Sequence, residues 1–372
     1  MSLKRREIGF ANLAESYREL SDEVLAAARK VLEGGRYILG AEVEAFEGEF
    51  AKYIGARYCV GCGNGTEALA LALVALDVGP GHEVVTVANT AAPTALAICM
   101  VGARPVFVDV DPQTLLIDPV AAGEAITPRT RAIVPVHLYG LAADMEPVLA
   151  LSGELGIPIV EDCAQAHGAE YRGKRVGSIG RLGCFSFYPT KNLGAYGDGG
   201  AITTNDELLY RKLLVLRNCG LADDGYRHSL RGLNSRLDEL HAAMLRVKLP
   251  HLHRWNARRR DLADLYRKEL GGRNLVVPGD TTSSRHAYHL FVVRARHRDR
   301  LREHLRVNGV QTLIHYPIPL HLEEAFAGGR GRPGSLPKAE KAAGEVLSLP
   351  LHPHLSEDEV LYVAETVTRF DE

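Results

Sequence analysis

Short apolar runs alternate with longer stretches of helical periodicity through the middle of this chain. The runs 58–61, 83–87, 104–108, 132–136, 158–161, 184–187 and 201–203 have strand length, and 66–76, 93–101, 119–125 and 145–155 carry helical patterns between them. Strand and helix in that rhythm predict βαβ units around a mostly parallel sheet. Several strands are almost continuously apolar, as strands covered by helices on both faces must be. From about residue 235 the texture changes. A polar-faced helical pattern runs over 237–248, breaks at Pro250 and resumes over 254–270, with Arg258, Arg259 and Arg260 expected on a solvated face. A break at 271–273 follows, then strands at 288–293 and 311–315, a helix at 299–308 with Asp299 as its N-cap, and a helix at 337–347. The Gly/Arg/Pro-rich stretch 328–334 reads as a loop. The expectation is an α/β protein of two domains, a large mostly parallel-sheet domain over 1–250 and a smaller α+β domain over 251–372.

Composition narrows the class. The 372 residues are 46% hydrophobic and 24% charged, the proportions of a globular protein. Lys and Arg number 44 against 46 Asp and Glu, a net charge of −2, so no global field draws the chain to nucleic acid or an anionic membrane. No apolar run approaches 18 residues, and MSLKRREIGF carries charge without an apolar core behind it, which reads as neither a membrane span nor a signal peptide. Cysteines at 59, 62, 99, 163, 184 and 219 are scattered, as reduced thiols of a cytoplasmic enzyme are. Cys59 and Cys62 form a CxxC with no second pair for zinc, open to a redox role or to being buried small thiols; no metal site is expected.

Three segments could carry chemistry. Gly61-Cys-Gly-Asn-Gly-Thr-Glu67 follows a strand and opens a helix, where glycines admit close backbone approach and free N–H groups favour an anion. It lacks both the third glycine of a dinucleotide fingerprint and a P-loop lysine. In Val160-Glu-Asp-Cys-Ala-Gln-Ala-His167, Asp162 could hold a cationic ring nitrogen and Gln165 a ring oxygen; the plain alternative has Asp162 capping the next turn and Glu161 facing solvent. In Gly183-Cys-Phe-Ser-Phe-Tyr-Pro-Thr-Lys-Asn192, Lys191 is one of only ten lysines against 34 arginines and follows an apolar strand instead of lying on a polar helix face. Desolvation there lowers an amine's pKa and makes it a Schiff-base nucleophile, and Ser186 alternates away from Phe185 and Phe187 to offer a phosphate donor. A phosphate cradle, an acid for a ring nitrogen and a lysine for an imine are together the demands of pyridoxal phosphate. Asp162 and Lys191 lie 29 residues apart after successive strands, so both could meet one ring.

These residues resemble a known family. The segments Arg36-Tyr-Ile-Leu-Gly40, Asn64-Gly-Thr-Glu-Ala-Leu69, Glu161-Asp-Cys-Ala-Gln-Ala-His-Gly168, Phe185-Ser-Phe-Tyr-Pro-Thr-Lys-Asn-Leu193, Asn234-Ser-Arg-Leu-Asp238 and His315-Tyr-Pro-Ile-Pro-Leu-His321 are similar to those of the DegT/DnrJ/EryC1/StrS aminotransferases, which make amino sugars and some amino cyclitols. The resemblance implies fold type I, the aspartate-aminotransferase architecture, and a homodimer with active sites at the subunit interface. It implies pyridoxal 5'-phosphate on Lys191, Asp162 at the ring nitrogen and Gln165 at the ring hydroxyl. Gly65, Thr66 and Ser186 resemble the phosphate cradle, and Asn234 the residue reaching the phosphate of the neighbouring subunit. Tyr188, His315 and Tyr316 fall where the family contacts substrate, and Asn89 stands in the segment that often supplies a ring-stacking side chain. The implied reaction moves the amine of L-glutamate onto a keto group, at C3 by the look of residues 192–200, of a nucleotide-activated hexose. Alternatives are a keto-cyclitol substrate, another family branch such as one that makes an aminated aromatic acid, or a non-catalytic sensor on the same fold. Lys191 itself argues against the family's dehydratases, which carry histidine there.

Overall fold

The structure is a computed structural model that describes residues 6–222, 224–271, 275–276, 283–327 and 332–370. Seven strands build the main sheet: β1 Tyr58–Cys62, β2 Glu83–Val87, β3 Arg104–Val108, β4 Thr130–Val134, β5 Val160–Asp162, β6 Leu182–Ser186 and β7 Gly200–Thr204. Their spatial order is β3-β2-β4-β5-β6-β7-β1, with the β4–β5 junction made by the parallel bridges Ile133–Ile159 and Val136–Asp162. Six strands run parallel; β7 alone runs antiparallel to both β6 and β1. The predicted sheet is therefore present with one strand reversed.

Helices cover both faces. Gly65–Ala75 is apolar all round and almost wholly buried, the signature of a helix inside a core. Its start is fixed by Asn64, whose side chain accepts the Glu67 N–H. Phe50, on the helix Ala41–Ile54, meets Phe185 and Phe187 edge-on with ring centroids 5.0 and 5.3 Å apart. Phe50→Ala should lower stability by about 3–5 kcal/mol, read as an earlier urea midpoint with a similar slope.

Past residue 250 a second sheet of β8 Leu275–Val276, β9 Phe291–Ala295 and β10 Val346–Leu349 forms, antiparallel in the order β8-β9-β10. Several expectations change here. The segment 311–315 is no strand: Val310 bridges Ile8 and Leu313 bridges Ser348, one pair each, because it is shared between the N-terminal segment and β10. The helix Pro337–Glu345 ends two residues early, since Val346 and Leu347 are buried in β10. The helix Arg298–Val307 begins after His297, and Asp299 pairs with Arg298 from inside the first turn.

The arginine cluster also divides. Arg259 is buried and donates to the carbonyls of Tyr288, His289 and Leu351, whereas Arg258 pairs with Glu357. In the stretch 328–334, residues 328–331 lie outside the described residues, as do 272–273 of the break after the long helix. Among the described residues no helix is long and apolar enough to cross a membrane.

Candidate active site

The parallel strands deliver their carboxyl ends to one edge of the sheet, where such sheets bind ligands. Asp162 is the last residue of β5 and Ser186 the last of β6, while β1 and β2 lead directly into residues 63–66 and 90–94. A cavity of about 410 Å³ opens there, walled by Gly65, Thr66, Thr94, Asp162, Ser186 and Lys191, with Gln165, Tyr188 and Ala91 also on its surface.

Close approach sets the cradle. A Cβ on Gly65 would lie 2.7 Å from that of Ser186, so only glycine lets the helix start against β6. Gly65 and Thr66 open the helix, so their N–H groups have no acceptor within it, and the Ser186 hydroxyl stands beside them. A phosphate dianion suits that set of donors.

Asp162 is fully enclosed. Burial pushes its carboxyl up, and bonds from Thr94 Oγ1 (2.8 Å) and the Ala164 N–H (3.1 Å), with Lys191 nearby, hold it down. The Ala164 bond is the local cap foreseen as the plain alternative, yet Oδ2 still faces the cavity helix through Thr94. Glu161 does not face solvent. Pointing the other way along the strand, it accepts from the N–H groups of Gly177 (2.9 Å), Ile179 (2.9 Å) and Gly180 (2.7 Å) and bonds His137 Nε2 (3.0 Å). His137 Nδ1 accepts the Ala143 N–H, which assigns the ring proton to Nε2. His137, Glu161 and Cys163 sit within 4.8 Å of one another, but with these bonds made they form a clamp behind Asp162.

Lys191 lies between two cavities and lines both. Burial lowers its ammonium pKa to about 8, with Asp162 pulling the other way. The second cavity, about 470 Å³, is also lined by Lys248, Arg259, His289, His315 and His352, and among the described residues no carboxylate lines it. His315 bonds Ser348 Oγ at 2.7 Å, and burial beside Lys191 depresses its pKa to about 4. Gln165 accepts the Tyr139 N–H (2.7 Å) and donates to Tyr316 Oη (3.0 Å), leaving its second amide hydrogen available.

Of the residues singled out in the sequence, Gly65, Thr66, Asp162, Gln165, Ser186, Tyr188 and Lys191 come together around the first cavity. His315 lines the second, and Tyr316 joins the first through Gln165. Two stand elsewhere. Asn89 is buried, its amide 3.5 Å from the Leu115 carbonyl, and Thr90 and Ala91 take the cavity wall instead. Asn234 is exposed and bridges Asn218, outside both linings. Sequence reasoning missed Thr94, Tyr139 and His137. No spacing signals them, since they touch Asp162, Gln165 and Glu161 from other elements.

On this α/β fold the cavity brings together helix N-terminal N–H groups, a buried acid and a buried amine, a set that fits a phosphorylated aromatic aldehyde. Comparisons agree. Residues 18–368 match the DegT/DnrJ/EryC1/StrS aminotransferase family, and the chain belongs to it. It is 47% identical over 366 residues (98% of this chain, 96% of the relative) to the dTDP-3-amino-3,4,6-trideoxy-alpha-D-glucose transaminase of Streptomyces venezuelae. It is 46% identical over 362 residues (96% and 97%) to a pleiotropic regulatory protein of Geobacillus stearothermophilus. The crystal structure of Streptomyces venezuelae DesV with a ketimine intermediate superposes with a TM-score of 0.95 at 46% identity, covering 98% of this chain and all of that one. The fold is that of the fold type I pyridoxal-phosphate aminotransferases, and the protein is a pyridoxal-phosphate-dependent transaminase.

Proposed function

We propose that this transaminase takes the amine of L-glutamate and delivers it to the C3 keto group of a nucleotide-activated hexose, as a cytoplasmic homodimer of two-domain subunits divided near residue 250. The convergence of Asp162, Lys191 and the Gly65–Thr66–Ser186 cradle on one cavity carries the reading. Pyridoxal phosphate, when bound, supplies a conjugated ring that accepts the electron pair of the Cα–H bond being broken. Asp162 stabilises positive charge at the ring nitrogen, and the spare amide hydrogen of Gln165 serves the ring oxygen. With its pKa near 8, Lys191 is partly a free amine at neutral pH, able to attack a carbonyl carbon and then to carry a proton between two carbons. Exposed Asn234 is assigned to the phosphate of a second copy, and Tyr188, His315 and Tyr316 to substrate.

Two observations support the finer substrate reading. A chamber lined by Lys248 and Arg259, with no carboxylate among its described lining residues, suits a dicarboxylate donor. The Streptomyces venezuelae relative is named for a 3-amino sugar. The regulatory name of the Geobacillus relative favours a sensor, but a sensor has no use for an amine tuned to attack a carbonyl. The test is an absorbance titration of the cofactor-loaded protein. L-Glutamate should bleach the visible band and release 2-oxoglutarate, and a dTDP-3-keto-6-deoxyhexose should restore the band. A band untouched by glutamate removes the donor; restoration by a 4-keto sugar alone moves the reaction to C4.

A further inference from the structure

Behind Asp162 stands a short chain of hydroxyls. Thr94 Oγ1 lies 2.8 Å from Asp162 Oδ2, and Thr90 Oγ1 lies 3.0 Å from Thr94 Oγ1. All three side chains are buried, and both threonines border the cavity. The order of donation follows from proton counting. An ionised carboxylate only accepts, so the single hydroxyl hydrogen of Thr94 goes to Asp162, and the Thr90 hydroxyl must then donate to Thr94. Each bond polarises the next, which strengthens the one that ends on the carboxylate.

We propose that Thr94, backed by Thr90, is the positioning residue that keeps Asp162 ionised and aimed, and so keeps the ring nitrogen of the bound cofactor protonated. The proposal rests on the cofactor reading above. Two donors hold the carboxylate, the Ala164 N–H on Oδ1 and Thr94 on Oδ2. Ala164 belongs to the same turn as Asp162 and moves with it. Thr94 comes from the helix Ala92–Met100, on a different βα unit, so it alone fixes the carboxylate against the opposite wall. Burial favours the neutral acid, and a proton resting on Asp162 would leave the ring nitrogen uncharged and a poor electron acceptor. Removing the Thr94 hydroxyl weakens the opposition to that transfer while leaving the wall's shape intact.

The test uses the full-length protein loaded with pyridoxal phosphate carrying 15N in the ring. In the wild type the 15N shift should be that of a protonated pyridine. Thr94→Val, which keeps the shape, should move the shift toward the neutral ring, weaken cofactor binding and lower kcat by about 10- to 100-fold at nearly constant KM for donor. Thr94→Ser should restore the wild-type shift. Thr90→Val, should Thr94→Val fail to fold, should show the same displacement to a smaller extent. An unchanged 15N shift in both valine variants, or a serine variant that behaves like valine, overturns the proposal. If the wild type takes up no cofactor at all, the cofactor reading is what fails.

Discussion

Lys191→Ala is expected to lose the visible absorption of the lysine-bound cofactor and to transfer amine about a thousandfold or more slowly than the wild type. Two losses combine in that number. Without the amine no covalent attachment forms, so pyridoxal phosphate would be retained by non-covalent contacts only, those of the Gly65–Thr66–Ser186 cradle, Asp162 and Gln165 among them. The group that carries a proton between the two carbons is lost as well, and Lys248, the other lysine lining the second cavity, is committed to the Gly194 carbonyl. His315, His289 and His167 are neighbouring bases, but burial depresses all three, so each is a weak base at neutral pH. The wild type offers a companion measurement. Its rate of cofactor capture should climb as pH rises through about 8, because the neutral amine is the nucleophile and the pKa is lowered to that value. A variant that still turns over at a tenth of the wild-type rate would remove Lys191 from its role.

Asp162→Asn should cost about 100- to 1000-fold in kcat while leaving the cofactor-free protein as stable as the wild type or more so. The shape is conserved, so the effect comes from charge and from donor count. Both Thr94 and the Ala164 N–H donate to the carboxylate, and an amide can accept at one end only. Its NH₂ therefore meets a donor or rotates toward the ring nitrogen, where it cannot balance a positive charge. In the cofactor-free protein, burial already makes the ionised carboxylate costly, so neutralising it offsets the lost bond. Single-turnover kinetics and thermal melting of the cofactor-free protein separate the two effects. A variant with both kcat and melting temperature lowered would mean that Asp162 serves mainly to hold the fold.

That Lys191 and Asp162 would meet at one cavity was legible because each follows an apolar strand at the edge where such sheets bind ligands. The βαβ rhythm was legible for the same reason: doubly covered strands must be apolar, and the helices between them keep their period. Pairing direction was not. β7 is as buried as its neighbours, and only its partners reveal that it runs backwards. Arg259 read as a solvated charge because its helix is polar elsewhere, yet three backbone carbonyls from two distant segments draw it inside. The sequence left the side chain over the ring as Asn89 or one from elsewhere, and the turn at 89–91 presents Thr90 and Ala91 to the cavity while Asn89 is buried. Thr94 and Tyr139 stayed silent because a hydroxyl or a tyrosine backbone acquires meaning only from what it meets across the fold.

The strand Val160–Asp162 places two adjacent carboxylates on opposite faces, Glu161 toward the backbone of residues 177–180 and Asp162 toward the cavity. Side chains alternate along a strand, so inserting or deleting one residue in it would exchange their surroundings. The acid meant for a ring would then meet the loop, and the acid meant for the loop would enter the cavity. Divergence in this strand can thus proceed by replacement but not by change of length, whereas indels remain open to the loops that shape the entrance.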